Sequence, residues 1–312
     1  MSVEAQEFEK AVFGTLEAAG GVNLVRKYSD KPADRSGDMV SLLESLGVWE
    51  LRPHESVEEL EAAAVACRAA GAVALPYPIA ERLARPDDRD GAILVQESGA
   101  RMAGHGDLAA GWVAYDLLGN RYDVLSADAG PLGTLLAPFA GEVVVSEPTP
   151  GYEGAAALLV TLQSWWLLGL LERALGDTIK YAGEREQFGR KLTGFQTASF
   201  RLADMQVSVH KLEELAKYTL WSLTQNHGRS TALVDALALR AASLESADIV
   251  MRGAHQLHGA MGFCDETDVS WLSRVSQAVR RLPAGRSQTV ELLTRRTLET
   301  GFEGLFSELQ EF

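Results

Sequence analysis

The chain has little cysteine, no excess of basic residues and no long uninterrupted apolar run. Its 312 residues include two cysteines, Cys67 and Cys264, far apart and in no ligand-like spacing. That excludes a disulfide framework and a cysteine-based metal site, and both are expected as reduced thiols. Lysine and arginine number 29 against 43 acidic residues, a formal net charge of -14. With no basic surplus to neutralise phosphates, a nucleic-acid surface is excluded, although a few local arginines can still hold an anionic ligand. The most apolar stretch, 155–171, is broken by Gln163, Ser164 and Gly169. It falls short of the roughly 20 apolar residues of a membrane span and reads as a buried helix. The first ten residues, MSVEAQEFEK, contain neither a basic region nor an apolar core, so no signal peptide is expected and the protein is read as soluble and cytoplasmic. No internal repeat and no low-complexity tract occurs.

What is present is the composition of a globular protein, 46% hydrophobic and 23% charged, in a chain long enough for two or three domains. Residues 1–86 read as helical. Apolar Phe8, Val12, Phe13 and Leu16 recur at helical spacing over 7–19, and Gly20-Gly21 ends the run. Residues 39–46 form a second amphipathic stretch. Ser56 followed by Glu59 fits a capping box for a third helix over 56–70, and 79–84 is a short fourth. From 87 to 150 the pattern changes to short β-rich runs at 92–95, 112–115, 122–126 and 142–146, separated by Gly, Asp and Asn turns. From 151 to 312 long helices return, over 158–182, 195–224, 231–257, 269–282 and 287–300. The expected fold is mainly α with a small β domain: a helical domain at 1–86, a short β domain at 87–150 and a helical bundle at 151–312.

Two segments of the third part carry chemistry. The first runs Tyr181-Ala-Gly-Glu-Arg185-Glu-Gln187-Phe188-Gly189-Arg-Lys-Leu-Thr-Gly-Phe195-Gln196, with Leu202-Ala203-Asp204-Met205 after it; the second is Gln256-Leu-His258-Gly259-Ala260-Met-Gly262-Phe263. Arg185, where a helix gives way to a glycine-containing loop, suits bidentate contact to a diphosphate. Gln187 can hydrogen-bond an adenine edge or ribose, and Phe188 offers an apolar face to a planar ring. Gln256 supplies an amide, and the glycines after it allow close backbone approach. Taken singly, Arg185 would be a surface ion-pair partner, Phe188 and Phe195 core residues, and His258 a structural turn residue.

In order and spacing these segments resemble the C-terminal domain of the acyl-CoA dehydrogenases, whose pattern runs Tyr…Arg-x-Gln-Phe-Gly…Phe-Gln…Leu-Ala-Asp-Met and then Gln-x-His-Gly-Gly-x-Gly-Tyr. The helical, β, helical order agrees with that family. The resemblance implies that Arg185, Gln187, Phe188, Phe195, Gln196, Gln256 and Gly259 hold the ADP half of an FAD bound mainly by a neighbouring subunit. It implies no metal.

The sequence departs from the family where the reaction needs a base, because α-proton removal from the thioester requires a carboxylate while the β-hydride passes to the flavin. In most members that glutamate follows the His-Gly-Gly motif by about 20 residues, where this chain has Ala284. A minority place it about 26 residues before the arginine, where this chain has Leu159. Glu153, in Tyr152-Glu153-Gly154, copies the usual base motif superficially but precedes the bundle, and Glu172 is expected to pair with nearby charges. The flavin-ring loop of the β domain is missing, Ser146-Glu147-Pro148 stands at its end, and Trp112 lacks its neighbours; Trp49-Glu50-Leu51-Arg52-Pro53 replaces a Pro-Glu-x-x-Gly-Gly loop. These losses resemble the smaller, base-lacking subunit of α2β2 acyl-CoA dehydrogenases, such as those of actinobacterial steroid side-chain degradation. The partners so implied are a longer catalytic subunit sharing its FAD, an acyl-CoA substrate in the complex, and an electron-transfer flavoprotein as one candidate acceptor. Two alternatives stand beside it: a homomeric acyl-CoA dehydrogenase with a base relocated to Glu153 or Glu266, and a cofactor-free assembly protein.

Overall fold

The computed structural model describes residues 1–30, 34–128, 137–225 and 230–301; the end of the expected bundle segment, 302–312, lies outside them. Helices α1 (Val3–Ala18), α2 (Asn23–Asp30), α3 (Arg35–Glu44), α4 (Val57–Ala72) and α5 (Ile79–Leu83) come first. Strands β1 (Ala92–Leu94), β2 (Met102–Ala103), β3 (Val113–Tyr115), β4 (Arg121–Asp128) and β5 (Gly141–Val145) follow. Then come α6 (Glu153–Glu184), the hairpin β6 (Glu186–Gln187) and β7 (Arg190–Lys191), α7 (Gln196–Gln225), α8 (Ser230–His258), α9 (Asp268–Arg281) and α10 (Arg286–Thr300). The chain is mainly α with a small sheet, as its periodicity dictates.

Four elements had no clear signal. Helix α2 is only eight residues long, and its apolar positions, Leu24, Val25 and Tyr28, are few but fully used in the core. Strands β2, β6 and β7 have two residues each, too short for any alternation to register. The capping box at α4 is half formed. Ser56 Oγ accepts from the Glu59 amide at 3.1 Å, but the Glu59 carboxylate accepts from the Arg52 amide and so ties the preceding loop down instead of closing back on Ser56.

The helices of the first and third segments share one hydrophobic core, centred on α6. This helix is long and apolar enough to cross a membrane, yet its most apolar window is 83% buried inside the protein, as expected of a central helix surrounded by others. Thr161, Ser164 and Thr178 each donate their hydroxyl to the carbonyl four residues back, so these polar side chains enter the core satisfied. Helix α4 crosses α6 at backbone contact. A methyl group at Gly71 would lie 1.8 Å from the Trp166 carbonyl oxygen, and one at Gly169 would lie 1.9 Å from that of Arg68. Only hydrogen fits at either position.

The sheet runs β1-β3-β4-β5-β2, with β1 and β3 parallel and the other pairs antiparallel. It has its own small core, in which Trp112 packs with Ile93, Tyr122 and Val143. A side chain at Gly91 would strike the Trp112 indole at 2.3 Å, so that ring is enclosed on its open flank.

Candidate functional site

The two motif segments meet at one end of the bundle. Tyr181, in the last turn of α6, stacks on His258 at the end of α8, with ring centroids 4.3 Å apart and planes 19° from parallel. His258 is buried, its Nδ1 lies 3.0 Å from the Ala254 carbonyl, and burial holds its pKa below the usual imidazole value. It is a neutral packing residue, in keeping with the structural role expected of it. Gln256 and Gly259, on either side of it, are exposed, and Gly259 has a φ of +60°.

Beyond Tyr181 the helix stops at Glu184 and the chain folds back on itself. The Leu192 amide donates to the Arg185 carbonyl at 2.9 Å, and Glu186 and Gln187 pair with Lys191 and Arg190. The two tip residues, Phe188 and Gly189, have φ of +52° and +75°, the pair of left-handed conformations that a tight two-residue hairpin demands. Glycine adopts this without cost; phenylalanine does not. Phe188 is also 92% exposed, so neither burial nor backbone preference explains a phenylalanine there. A strained, exposed aromatic residue at a turn tip points to a ligand or partner. Phe195 packs edge-on to Phe188 at 6.3 Å and is itself capped by the Arg190 guanidinium 3.8 Å from its ring centre. Arg190 was not singled out in the sequence. Arg185, Gln187 and Gln196 are exposed, and among the described residues no hydrogen bond or ion pair engages the Arg185 guanidinium. The assembled surface therefore presents a free cation, amides and an aromatic face, the donor set for an adenine nucleotide diphosphate.

The positions where a base would sit are apolar. Leu159 is fully buried in α6. Ala284 lies in the loop between α9 and α10, and its carbonyl accepts from Arg240 Nη2 at 2.8 Å; the same nitrogen donates to the Leu282 and Val279 carbonyls at 2.7 and 3.2 Å. Arg240 is 2% exposed, and burial lowers its pKa to about 10. The loop is thus fixed on a buried cation with its carbonyls, not a carboxylate, pointing inward. Glu153 opens α6 and pairs with Arg296 of α10. Glu172 pairs with Arg68, whose Nε donates to it at 2.7 Å. Glu266 is exposed.

A different carboxylate occupies the centre, and nothing in its local sequence marked it. Glu81 of α5 accepts from Gln163 Nε2 at 2.7 Å, and Gln163 stands one turn beyond Leu159 on the same face of α6. Glu81 and Gln163 line a cavity of about 40 Å³ where the first helices, the sheet and the bundle meet, together with His105, Trp166 and Leu282. Gln163 Oε1 and His105 Nδ1 are buried there without a partner. Glu81 and His105, both half-buried, touch this water-sized void. Burial pushes the Glu81 carboxyl up, opposed by the Gln163 hydrogen bond. Burial, then the Arg35 charge, push His105 well below the usual imidazole range.

An FAD fits this chain by half. The exposed hairpin and the end of α8 suit its ADP end. The sheet does not offer a seat for the ring, because Trp112 is committed to the sheet's own core.

Comparison with known proteins agrees with the fold and the motifs. Residues 161–297 match the family model for the acyl-CoA dehydrogenase C-terminal domain. The short-chain-specific acyl-CoA dehydrogenase of Megasphaera elsdenii is 34% identical over 106 residues, 33% of this chain and 26% of the relative. The chain spans 40% and 26% of the length of two curated relatives it matches. Among solved structures, the ChsE4-ChsE5 complex from Mycobacterium tuberculosis superposes with a TM-score of 0.79 at 19% identity, over 97% of this chain and 99% of that one. The Tcur3481-Tcur3483 steroid ACAD does so with a TM-score of 0.74 at 17% identity, over 95% and 98%. Residues 161–297 are thus similar to the acyl-CoA dehydrogenase C-terminal domain, and the chain over its whole length shares the fold of these solved structures.

Proposed function

We propose that this chain is the non-catalytic subunit of a heteromeric, FAD-dependent acyl-CoA dehydrogenase, completing the cofactor site of a longer catalytic partner. The observation that carries this reading is the contrast between the two half-sites. Leu159 and Ala284 cannot accept a proton and are locked by core packing and by Arg240, while the hairpin from Arg185 to Gln196 is exposed and preformed. Bound FAD would supply the hydride acceptor, and the partner's carboxylate would take the α-proton. This chain's Arg185, Gln187, Phe188, Phe195, Gln196, Gln256 and Gly259 would bind and orient the ADP end. Similarity in fold to a ChsE4-ChsE5 complex and to a steroid ACAD supports an α2β2 assembly and a steroid side-chain CoA thioester as substrate. Reoxidation by an electron-transfer flavoprotein and a cytoplasmic location accompany this reading.

The test is co-expression with a longer homologue that has the first-helix glutamate. The complex should be yellow and active, and this chain alone colourless and inactive. Arg185→Ala should weaken FAD retention by the complex at least about tenfold, the loss of a charge-assisted contact, without lowering the melting temperature of the isolated chain. Flavin content unchanged by Arg185→Ala would instead favour a cofactor-free assembly role.

A second reading, a homomeric enzyme with its own base, draws on Glu81. This carboxylate faces the central cavity and is hydrogen-bonded to Gln163, which stands one turn from Leu159, a better placement than the ion-paired Glu153 or the exposed Glu266. Flavin binding and acyl-CoA oxidation by the isolated chain, abolished by Glu81→Gln, would establish it.

A further inference from the structure

A second cavity, of about 350 Å³, lies away from both the hairpin and the central void. Its walls are apolar: Leu60 of α4, Ala155 and Leu158 of α6, Leu223 of α7 and Ala232 of α8. The volume is in the range of small-molecule sites, about 300–1,000 Å³, and two polar groups of interest line it.

The first is Tyr115 of β3. Its side chain is 1% exposed, it lines the cavity, and its hydroxyl makes no hydrogen bond to any described residue. Burial raises its pKa, so it is a neutral donor. Its hydroxyl is therefore open to a molecule held in the cavity.

The second is Arg85. It uses two of its five N–H groups on carbonyls, donating to Trp49 at 2.6 Å and Arg82 at 2.8 Å, and forms no ion pair with any described carboxylate within 4.0 Å. Arg52 and Arg82 stand close enough for Arg85 to feel their charges, as do Asp87 and Asp90 in the opposite sense. Neither Arg52 nor Arg82 forms an ion pair with a described residue. Arg52 Nη1 points at the Trp49, Glu50 and Leu51 carbonyls, and Arg82 donates to the Tyr77 hydroxyl. At the mouth, His54 and Asp87 approach to 3.7 Å. Three guanidiniums without carboxylate partners, in a chain of net charge -14, concentrate positive potential at one end of an apolar cavity.

We propose that this cavity binds a free carboxylic acid with an apolar body, its carboxylate held by Arg85 and the Tyr115 hydroxyl and its hydrocarbon lodged against Leu60, Leu158 and Ala232. A carboxylate matches the remaining guanidinium N–H groups and accepts from the phenol. A neutral ligand would leave the cation cluster unanswered, and an inorganic anion would leave the apolar walls against water.

The site is separate from the hairpin, so it can be tested on the full-length chain without flavin or partner, and its failure would leave the heteromer reading untouched. Titration calorimetry with sodium octanoate should show saturable one-to-one binding, at least about tenfold tighter than octanamide. Tyr115→Phe, which removes one oxygen, should weaken octanoate about tenfold. Ala155→Phe, which projects a ring into the cavity from a partly exposed position, should abolish binding while circular dichroism shows a folded chain. No saturable binding, equal affinity for octanamide, or affinity unchanged by Tyr115→Phe would each overturn the proposal.

Discussion

Tyr181 and His258, 77 positions apart in sequence, stack with their ring centres 4.3 Å apart. This contact joins the ends of α6 and α8 and so sets the hairpin and the Gln256–Gly259 turn on one surface. Family motifs that look independent in the sequence are one packed unit in the fold.

If stacking is the function of His258, replacing it by phenylalanine should preserve the surface and replacing it by alanine should not. His258→Ala is expected to lose about 1–3 kcal/mol, from the ring pair and the void left behind, and to loosen FAD in the complex. His258→Phe should retain most of both. Urea denaturation and flavin retention read the two effects. Equal loss in both variants would mean that the Nδ1 contact to the Ala254 carbonyl matters more than the stack.

Phe188 should show a trade of stability for binding. Its φ of +52° is costly for phenylalanine and tolerated by asparagine or glycine. Phe188→Asn should therefore leave the isolated chain as stable or up to about 1 kcal/mol more stable, because an exposed ring has no core contacts to lose. The same variant should hold FAD less tightly in the complex. A drop in melting temperature would show that the ring supports the hairpin instead.

The α4–α6 crossing should tolerate no side chain. Gly169→Ala would place a methyl group 1.9 Å from the Arg68 carbonyl oxygen, and both partners are backbone. Separating the helices should cost at least about 1–3 kcal/mol, read as a lower urea midpoint. Gly176→Ala, on the same helix with nothing within 4 Å of the added carbon, is the control and should be neutral or stabilising.

The central cavity makes stability depend on pH in two opposing ways. Glu81 has a raised pKa, so the folded chain keeps a proton that the unfolded chain releases, and its contribution falls as pH rises above the ordinary value of 4.5. His105 has a depressed pKa, so the folded chain refuses a proton that the unfolded chain takes up. Its contribution falls as pH drops below 6.5. The urea midpoint of Glu81→Gln relative to the unmodified chain should therefore rise as pH is raised above 4.5. That of His105→Gln should rise as pH is lowered below 6.5. Differences that stay flat across pH would show that neither group is perturbed.

The sequence by itself determined the class of fold, since long runs with apolar residues every three or four positions can bury them only as packed helices, and the short alternating runs between them only as strands. It also determined the chemistry available at the two motifs and the absence of a carboxylate at Leu159 and Ala284, because those are matters of residue identity. Tertiary structure decided the rest. That Phe188 is an exposed, strained tip and Trp112 a core residue depends on which neighbours surround each ring. That Glu81 faces a cavity beside Gln163, 82 positions away, and that Tyr115 and Arg85 both line another, depends on helices and strands brought together across the whole chain. Burial, orientation and the lack of a hydrogen-bond partner are properties of packing between distant segments, and no local pattern of residues encodes them.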